Sequence, residues 1–168
     1  MLDQLIKLVE QNAGDTIIRN KAIPDQHNSA AIQAVAQQIL SGLQSHASKG
    51  NLTQVAGLFQ GGTQNLTSNP IVSQLITSVA GTVASKFGIS QQAAQSMASS
   101  LLPTVMNQFV KKTNDPKDDS FDLTNIMKSV SGNSNLDVAS ILGKMTGGNS
   151  HNPLGDLGNM LGGMFGKK

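Results

Sequence analysis

The sequence predicts an all-α protein: a compact bundle of about six helices that contains a helix-turn-helix-like pair, followed by short C-terminal helices in a Gly/Met-rich tail. Three observations lead to this prediction. Apolar residues recur at spacings of three and four along most of the chain, which is the period of an amphipathic helix. Residues that begin and end helices stand between these runs. No convincing run alternates Val, Ile, Thr and aromatic residues as a half-buried strand does.

The first helices are predicted from the N-terminal apolar stripes. Residues 1–10 carry Leu, Ile and Val at helical spacing, and residues 15–20 predict a further turn or helix. A longer helix begins at Asn28 or Ser29 and stops at Gly50. Asn51, with Gln54 three residues later, has the spacing of a capping box and predicts the start of the next short helix, which Gly61-Gly62 ends.

The strongest helix signals lie between residues 69 and 111. Asn69 is a good N-cap and Pro70 suits the first helical position. Gly88 is predicted to end this helix, and Ser90 to cap the following one. The turn between them gives the pair its helix-turn-helix-like character. Pro103 is predicted to kink or split the second helix.

Composition changes along the chain predict three parts. Residues 1–111 are predicted to form the helical domain, and residues 112–121 a polar linker. Residues 122–168 contain short apolar helical segments separated by Gly, Asn and Ser, and helices of this length are marginal alone.

The composition excludes several classes of chemistry. The chain has no Cys, so disulfides, thiolate catalysis and Cys-ligated zinc are excluded. Charged residues make up 13%, against about 25% in typical domains. The N-terminus lacks the pattern of a signal peptide, and no apolar run is long enough to span a membrane. We therefore expect a cytoplasmic protein that is not integral to the membrane.

The sequence disfavours both nucleic acid and metal ions as ligands. Gln91 and Gln92 begin the second helix of the pair and could contact adenine edges, but no Arg or Lys follows before Lys111 to contact phosphates. The three histidines are far apart in sequence. Four aspartates could offer oxygens to calcium, but they lack the Gly and Glu of an EF-hand loop. A solvated linker with a helix N-cap at Asp122 explains them better. The four aspartates are Asp115, Asp118, Asp119 and Asp122.

Methionines in the C-terminal segments are the one suggestive feature. Met adapts to irregular partners and is frequent on promiscuous binding surfaces. We favour the alternative, in which these apolar faces dock on the main core. The possible partner-binding residues are Met127, Met145, Leu154, Leu157, Met160, Leu161, Met164 and Phe165.

Several short motifs resemble those of the YidB-like bacterial proteins of unknown function. They are KFGISQQAA from Lys86, LLP from Leu101, KTNDP from Lys112 and FDL from Phe121. The likeness covers roughly residues 1–131, with a more variable tail. It implies an all-helical fold and lends no catalytic residue.

The function expected from these observations is a non-enzymatic protein-interaction or self-association module, with no catalytic residue, cofactor or metal site. One alternative is a nucleic-acid-binding helical domain, which predicts binding that weakens steeply with salt. The other is an enzyme with an unrecognised site, which predicts a deep pocket with perturbed titratable groups.

Overall fold

The computed structural model describes residues 1–61, 64 and 66–145, and over these residues the chain forms seven α-helices and no strand. The all-α prediction is confirmed. The helices are α1 (Leu2–Asn12), α2 (Asn28–His46), α3 (Leu52–Gln60), α4 (Pro70–Phe87), α5 (Gln91–Thr113), α6 (Leu123–Ser131) and α7 (Val138–Met145). None of the described helices is both long and apolar enough to cross a membrane.

The predicted caps of α4, α5 and α6 are present. The Asn69 side chain accepts a hydrogen bond from the Ile71 amide, and Pro70 occupies the first position of α4. Gly88 ends α4 in the left-handed conformation, with φ 66°. Ser90 then caps α5 by accepting from the Ala93 amide. In the same way, the Asp122 carboxylate accepts from the backbone N–H of Asn125 at the start of α6.

The prediction that the Asn51 side chain caps the next helix was wrong. Asn51 immediately precedes α3, but its side chain makes no capping hydrogen bond. The chain enters α3 directly from a π-helical turn, Ala47–Asn51, in which Gly50 has φ 85°. Asn51 therefore has φ −93° and ψ 24°, rather than the extended conformation from which a cap side chain reaches the first free amides.

Pro103 does not split the second helix of the pair. It lies inside α5, which runs unbroken from Gln91 to Thr113. Buried residues flank the proline on both sides, including Leu101, Leu102 and Val105. Tertiary packing on this face holds the helix together despite the missing backbone donor.

Four helices and an aromatic cluster build the core. α4 and α5 pack on each other along their lengths, α2 packs on α4, and α1 packs on α2 and α5. Phe109 of α5 lies edge-to-face against Phe59 and against Phe121, with ring centroids 4.9 Å apart in both pairs. These three rings join α3, α5 and the segment before α6 into one apolar core.

The segment predicted to be a linker is partly structured. Its first two residues, Lys112 and Thr113, complete α5. Two contacts hold the rest of the segment. The Lys112 ammonium donates a hydrogen bond to the Asp118 carboxylate at 2.7 Å, and the Phe121 side chain is buried. The main compact unit runs from Met1 to Leu136, and a second unit begins at Asp137 and contains α7. The expectation that residues 1–111 form a domain by themselves concerns the stability of that part alone, and it stays a prediction.

Candidate functional site

The structure describes two of the eight possible partner-binding residues, and only one of them with its side chain. Met127 is fully buried in α6, so its side chain contributes to packing and is not exposed to a partner. Met145 ends α7, and its side chain lies outside what the structure describes. The remaining six residues lie outside the described part of the chain: Leu154, Leu157, Met160, Leu161, Met164 and Phe165.

The helix-turn-helix-like pair places its glutamines as expected. Gln91 and Gln92 are exposed in the first turn of α5. Lys86, in the last turn of α4, is the cation closest to them in sequence and is also exposed. Phosphate contacts supply most of the affinity for DNA, and the exposed face of α5 offers no cation before Lys111.

Three of the four aspartates in the 115–122 segment accept local hydrogen bonds. Asp115 accepts from the Lys117 amide, and Asp122 caps α6. Asp118 accepts from Lys112 and from the Ser120 amide, and these bonds lower its pKa from 3.8 to about 2. Among the described residues, no three His, Asp or Glu side chains come together as a metal site would require.

The described histidines lie apart from each other. The His27 ring lies tilted against the Phe87 ring, with centroids 5.9 Å apart, and His46 borders a groove between α2 and α4. His151 lies outside the described residues.

Among the described residues, a groove lies between α2 and α4. Its main part has a volume of about 720 Å³ and is shallow, and a smaller part of about 210 Å³ lies beside it. We call this surface the α2–α4 face. It is lined by Gln38, Ser41, Gly42, Ser45, His46 and Lys49 of α2 and the turn after it, and by Gln74, Leu75, Thr77, Ser78, Gly81, Thr82, Ser85 and Lys86 of α4.

The two helices that form this face run in opposite directions. His27, just before α2, contacts Phe87 at the end of α4. Gly42, late in α2, lies against Leu75, early in α4. A Cβ atom at Gly42 would overlap the Cδ2 atom of Leu75, so the missing side chain leaves room for the Leu75 side chain to pack against α2. At Gly81, in contrast, a Cβ atom would meet nothing within 4 Å, since it would point into the open groove.

The chemistry of the α2–α4 face is that of neutral hydrogen-bonding groups. Its hydroxyls and amides can both donate and accept hydrogen bonds. The two lysines lie toward its two ends, with Lys49 at one and Lys86 at the other. No carboxylate lines it, and in fact the sequence contains no Asp or Glu from Gln26 to Asn114. Such a surface can form hydrogen bonds and close contacts, but it lacks paired groups for acid–base chemistry.

Sequence reasoning missed this face because it depends on which helices become neighbours. α2 and α4 are separated by α3 along the chain, and their contact at Gly42 is not visible in either helix alone. One signal was available in the sequence. The long stretch from Gln26 to Asn114 without a carboxylate marks a surface from which negative charge is missing.

A comparison with protein families places the chain among known sequences. A family model described as a bacterial protein of unknown function, DUF937, matches residues 69–168, which is more than half of the chain. The chain belongs to the DUF937 family. This is the same family as the YidB-like proteins that its motifs resemble. No curated protein and no solved structure matches the chain.

The extent of the DUF937 match differs from the extent expected from the motifs. The likeness was placed over roughly residues 1–131, whereas the match begins at Asn69 and includes the tail. α4, α5, α6 and α7 lie within the matched residues, and α2 lies before them. The α2–α4 face thus combines a helix inside the DUF937 match with one outside it.

Proposed function

We propose that this DUF937 protein is a non-enzymatic helical interaction module that binds a protein partner or another copy of itself. The observation that carries the proposal is the α2–α4 face, a shallow groove over two helices. It is lined mainly by uncharged polar side chains, with Lys49 and Lys86 toward its ends, and contains no carboxylate. Protein surfaces normally carry mixed charges that keep molecules apart in solution. A face with so few charges offers little repulsion to another protein surface.

The titratable groups with lowered pKa values support an interaction role over catalysis. Hydrogen bonds from the Lys112 ammonium and from Ser120 lower the pKa of Asp118. For Asp137, the side chain and backbone of Ser140 lower the pKa. Both causes are local structural bonds, the second of them at the start of α7. Neither aspartate lines the α2–α4 face, so neither suggests a catalytic group there.

The C-terminal tail is proposed to add to this interaction. Residues 154–165 contain Leu, Met and Phe at helical spacing, and Met-rich surfaces adapt to varied partners. The tail and the α2–α4 face are separate contributions, since one is apolar and the other is polar and mainly uncharged. An experiment that removes one and leaves the other in place distinguishes them.

Light scattering combined with affinity capture tests the proposal. The full chain is compared with a chain that ends at Leu136, the end of the main compact unit, which retains Phe121 and α6. We expect the full chain to show a mass above that of the monomer at high concentration, or to capture a partner. Monomeric mass at every concentration, with no captured protein, would contradict the proposal. Loss of the interaction in the shorter chain would assign it to the tail, and its retention to the main unit.

A further inference from the structure

We infer that a second concavity, between α1 and the segment before α6, binds a small anion that carries phosphate or carboxylate oxygens. This cavity has a volume of about 260 Å³ and is more enclosed than the α2–α4 face. We call it the Lys7–Lys112 cavity, after the two cations that line it. It shares no lining residue with the α2–α4 face, so the inference does not rest on the proposed function.

One wall of the cavity is a single stripe of α1. Gln4, Lys7 and Gln11 are three and four residues apart, which places them on the same side of the helix. All three residues are exposed, whereas Leu8 and Phe121, which also line the cavity, are almost fully buried. This wall therefore offers one ammonium group and two side-chain amides, and each of them can donate hydrogen bonds to an anion.

The opposite wall contributes a cation that is already held in place. The Lys112 ammonium donates a hydrogen bond to Asp118 Oδ2 at 2.7 Å, and the Lys112 side chain is 35% exposed. An ammonium group has three N–H donors, so two remain for a further acceptor. Asp118 is fixed in turn by the Ser120 amide, which donates to Oδ1. Because Lys112 is held in this way, it loses little further side-chain freedom when it contacts an anion.

The balance of charge in the cavity favours an anion. Lys7 has no ion-pair partner among the described residues, and no carboxylate from that part of the chain lines the cavity. Asp118 offsets the charge of Lys112, so Lys7 supplies the net positive charge. Lysine binds phosphate and carboxylate oxygens as a point charge, and its hydrogen bonds to them are stronger than those between neutral groups.

A neighbouring cavity of about 350 Å³ marks the limit of the site. It shares three lining residues with the Lys7–Lys112 cavity, but Asp119 and Asp122 line it together with Lys128. Its charges are therefore mixed, and its two carboxylates repel an anion. We expect the ligand to lie on the Lys7 side, where the described residues contribute ammonium and amide groups without a carboxylate.

Titration of the full chain with inorganic phosphate tests the inference, followed in two-dimensional ¹⁵N–¹H spectra at constant ionic strength. A parallel titration with succinate distinguishes phosphate from carboxylate recognition. Lys7→Gln removes the unpaired ammonium, Gln11→Glu places a carboxylate in the cavity, and Lys7→Arg keeps the positive charge. Lys111→Gln is the matched control, because it removes the same charge from an exposed lysine that does not line the cavity. Circular dichroism confirms that each variant is folded.

We expect saturable shifts of the amide signals of Lys7, Gln11 and Ser120 with at least one of the two anions, with a dissociation constant on the order of 1 mM. The affinity falls at least about fivefold in Lys7→Gln and Gln11→Glu, and stays within about twofold in Lys7→Arg and Lys111→Gln. The absence of saturable shifts with both anions, or shifts centred on other parts of the chain, would overturn the inference. Equal weakening in Lys7→Gln and Lys111→Gln would also overturn it, because the net charge of the protein would then be the cause.

Discussion

Gly42 and Gly81 lie inside neighbouring helices, yet they have opposite surroundings. Gly42 allows α2 to approach Leu75 of α4, which is almost fully buried and has little room to move. Gly81 faces the open groove. In a helix interior, Ala is favoured over Gly by up to about 1 kcal/mol, whereas overpacking a core costs about 1–3 kcal/mol.

The two glycines therefore predict opposite effects of one substitution. We expect Gly42→Ala to lower the free energy of unfolding by about 1–2 kcal/mol, since overlap with Leu75 exceeds the gain in helix propensity. We expect Gly81→Ala to raise it by about 0.5–1 kcal/mol. Urea denaturation followed by circular dichroism measures both. Stabilisation by Gly42→Ala would contradict the close packing of the Leu75 side chain against Gly42.

Asp118 predicts a pH dependence of stability. Its pKa is lowered from 3.8 to about 2 by hydrogen bonds from Lys112 and Ser120, so the folded protein favours its charged form. The contribution of Asp118 is therefore fully present above its ordinary pKa of 3.8 and is lost as the pH falls toward 2. We expect Asp118→Asn to be less stable than the natural sequence at pH 6, with the difference shrinking between pH 4 and 2.

Thermal unfolding of both proteins between pH 2 and pH 6 measures this difference. Asp119→Asn is the control, because it removes a carboxylate from the same turn and leaves the Lys112–Asp118 pair intact. A difference between natural sequence and Asp118→Asn that is independent of pH would show that charge on Asp118 is not the cause.

Among the elements, the segment before α6 depends most on a single side chain. Phe121 is buried and lies edge-to-face on Phe109, which contacts Phe59 in the same way. Removing a buried aromatic ring costs about 3–5 kcal/mol, and smaller hydrophobic changes cost less. We expect Phe121→Ala to lower the free energy of unfolding by about 3–4 kcal/mol and Phe121→Leu by about 1–1.5 kcal/mol.

Urea denaturation also measures the effect of these two substitutions. A loss below about 1 kcal/mol in Phe121→Ala would mean that the segment is only loosely attached, as a linker would be. In that case residues 112–121 would behave in solution as the polar linker that the sequence pattern predicts.

The ends of the helices could be predicted because they depend on residues that are close in sequence. Contacts between residues that are distant in sequence could not be predicted. Asn69, Ser90 and Asp122 cap the helices that follow them because a cap needs only a side chain and the next three residues. Asn51 failed as a cap because the preceding turn fixes its backbone. The burial of Phe121 could not be read from its polar neighbours, since it depends on rings at positions 59 and 109.

At the scale of the whole molecule, the distribution of charge argues against the nucleic-acid-binding alternative. Carboxylates are missing from Gln26 to Asn114, but this region also contains no Arg and few Lys. A surface that binds nucleic acid lacks carboxylates and is rich in cations, whereas this one is poor in both. The neutral character of the candidate site is therefore predictable from composition. Its location between α2 and α4 is not, because it depends on which helices pack together in the fold.

This neutrality predicts that binding at the α2–α4 face depends little on salt. We expect the dissociation constant of a complex formed there to change by less than about threefold between about 50 mM and about 500 mM NaCl, because most of the groups that line the face are uncharged. Sedimentation velocity at each salt concentration measures it. A strong weakening with salt would indicate that ion pairs, such as lysines of this chain with carboxylates of its partner, hold the complex together.

The most direct test of the central claim is a series of two-dimensional ¹⁵N–¹H spectra of the full chain, recorded from about 20 µM to about 1 mM to span micromolar dissociation, and again with any partner that affinity capture provides. If the α2–α4 face mediates the interaction, amide signals of Gln38, Ser41, Gly81 and Thr82 shift with concentration or on addition of the partner, while those of exposed residues in α6 stay fixed. Signals that do not move in either series, or shifts confined to residues outside α2 and α4, would contradict the account.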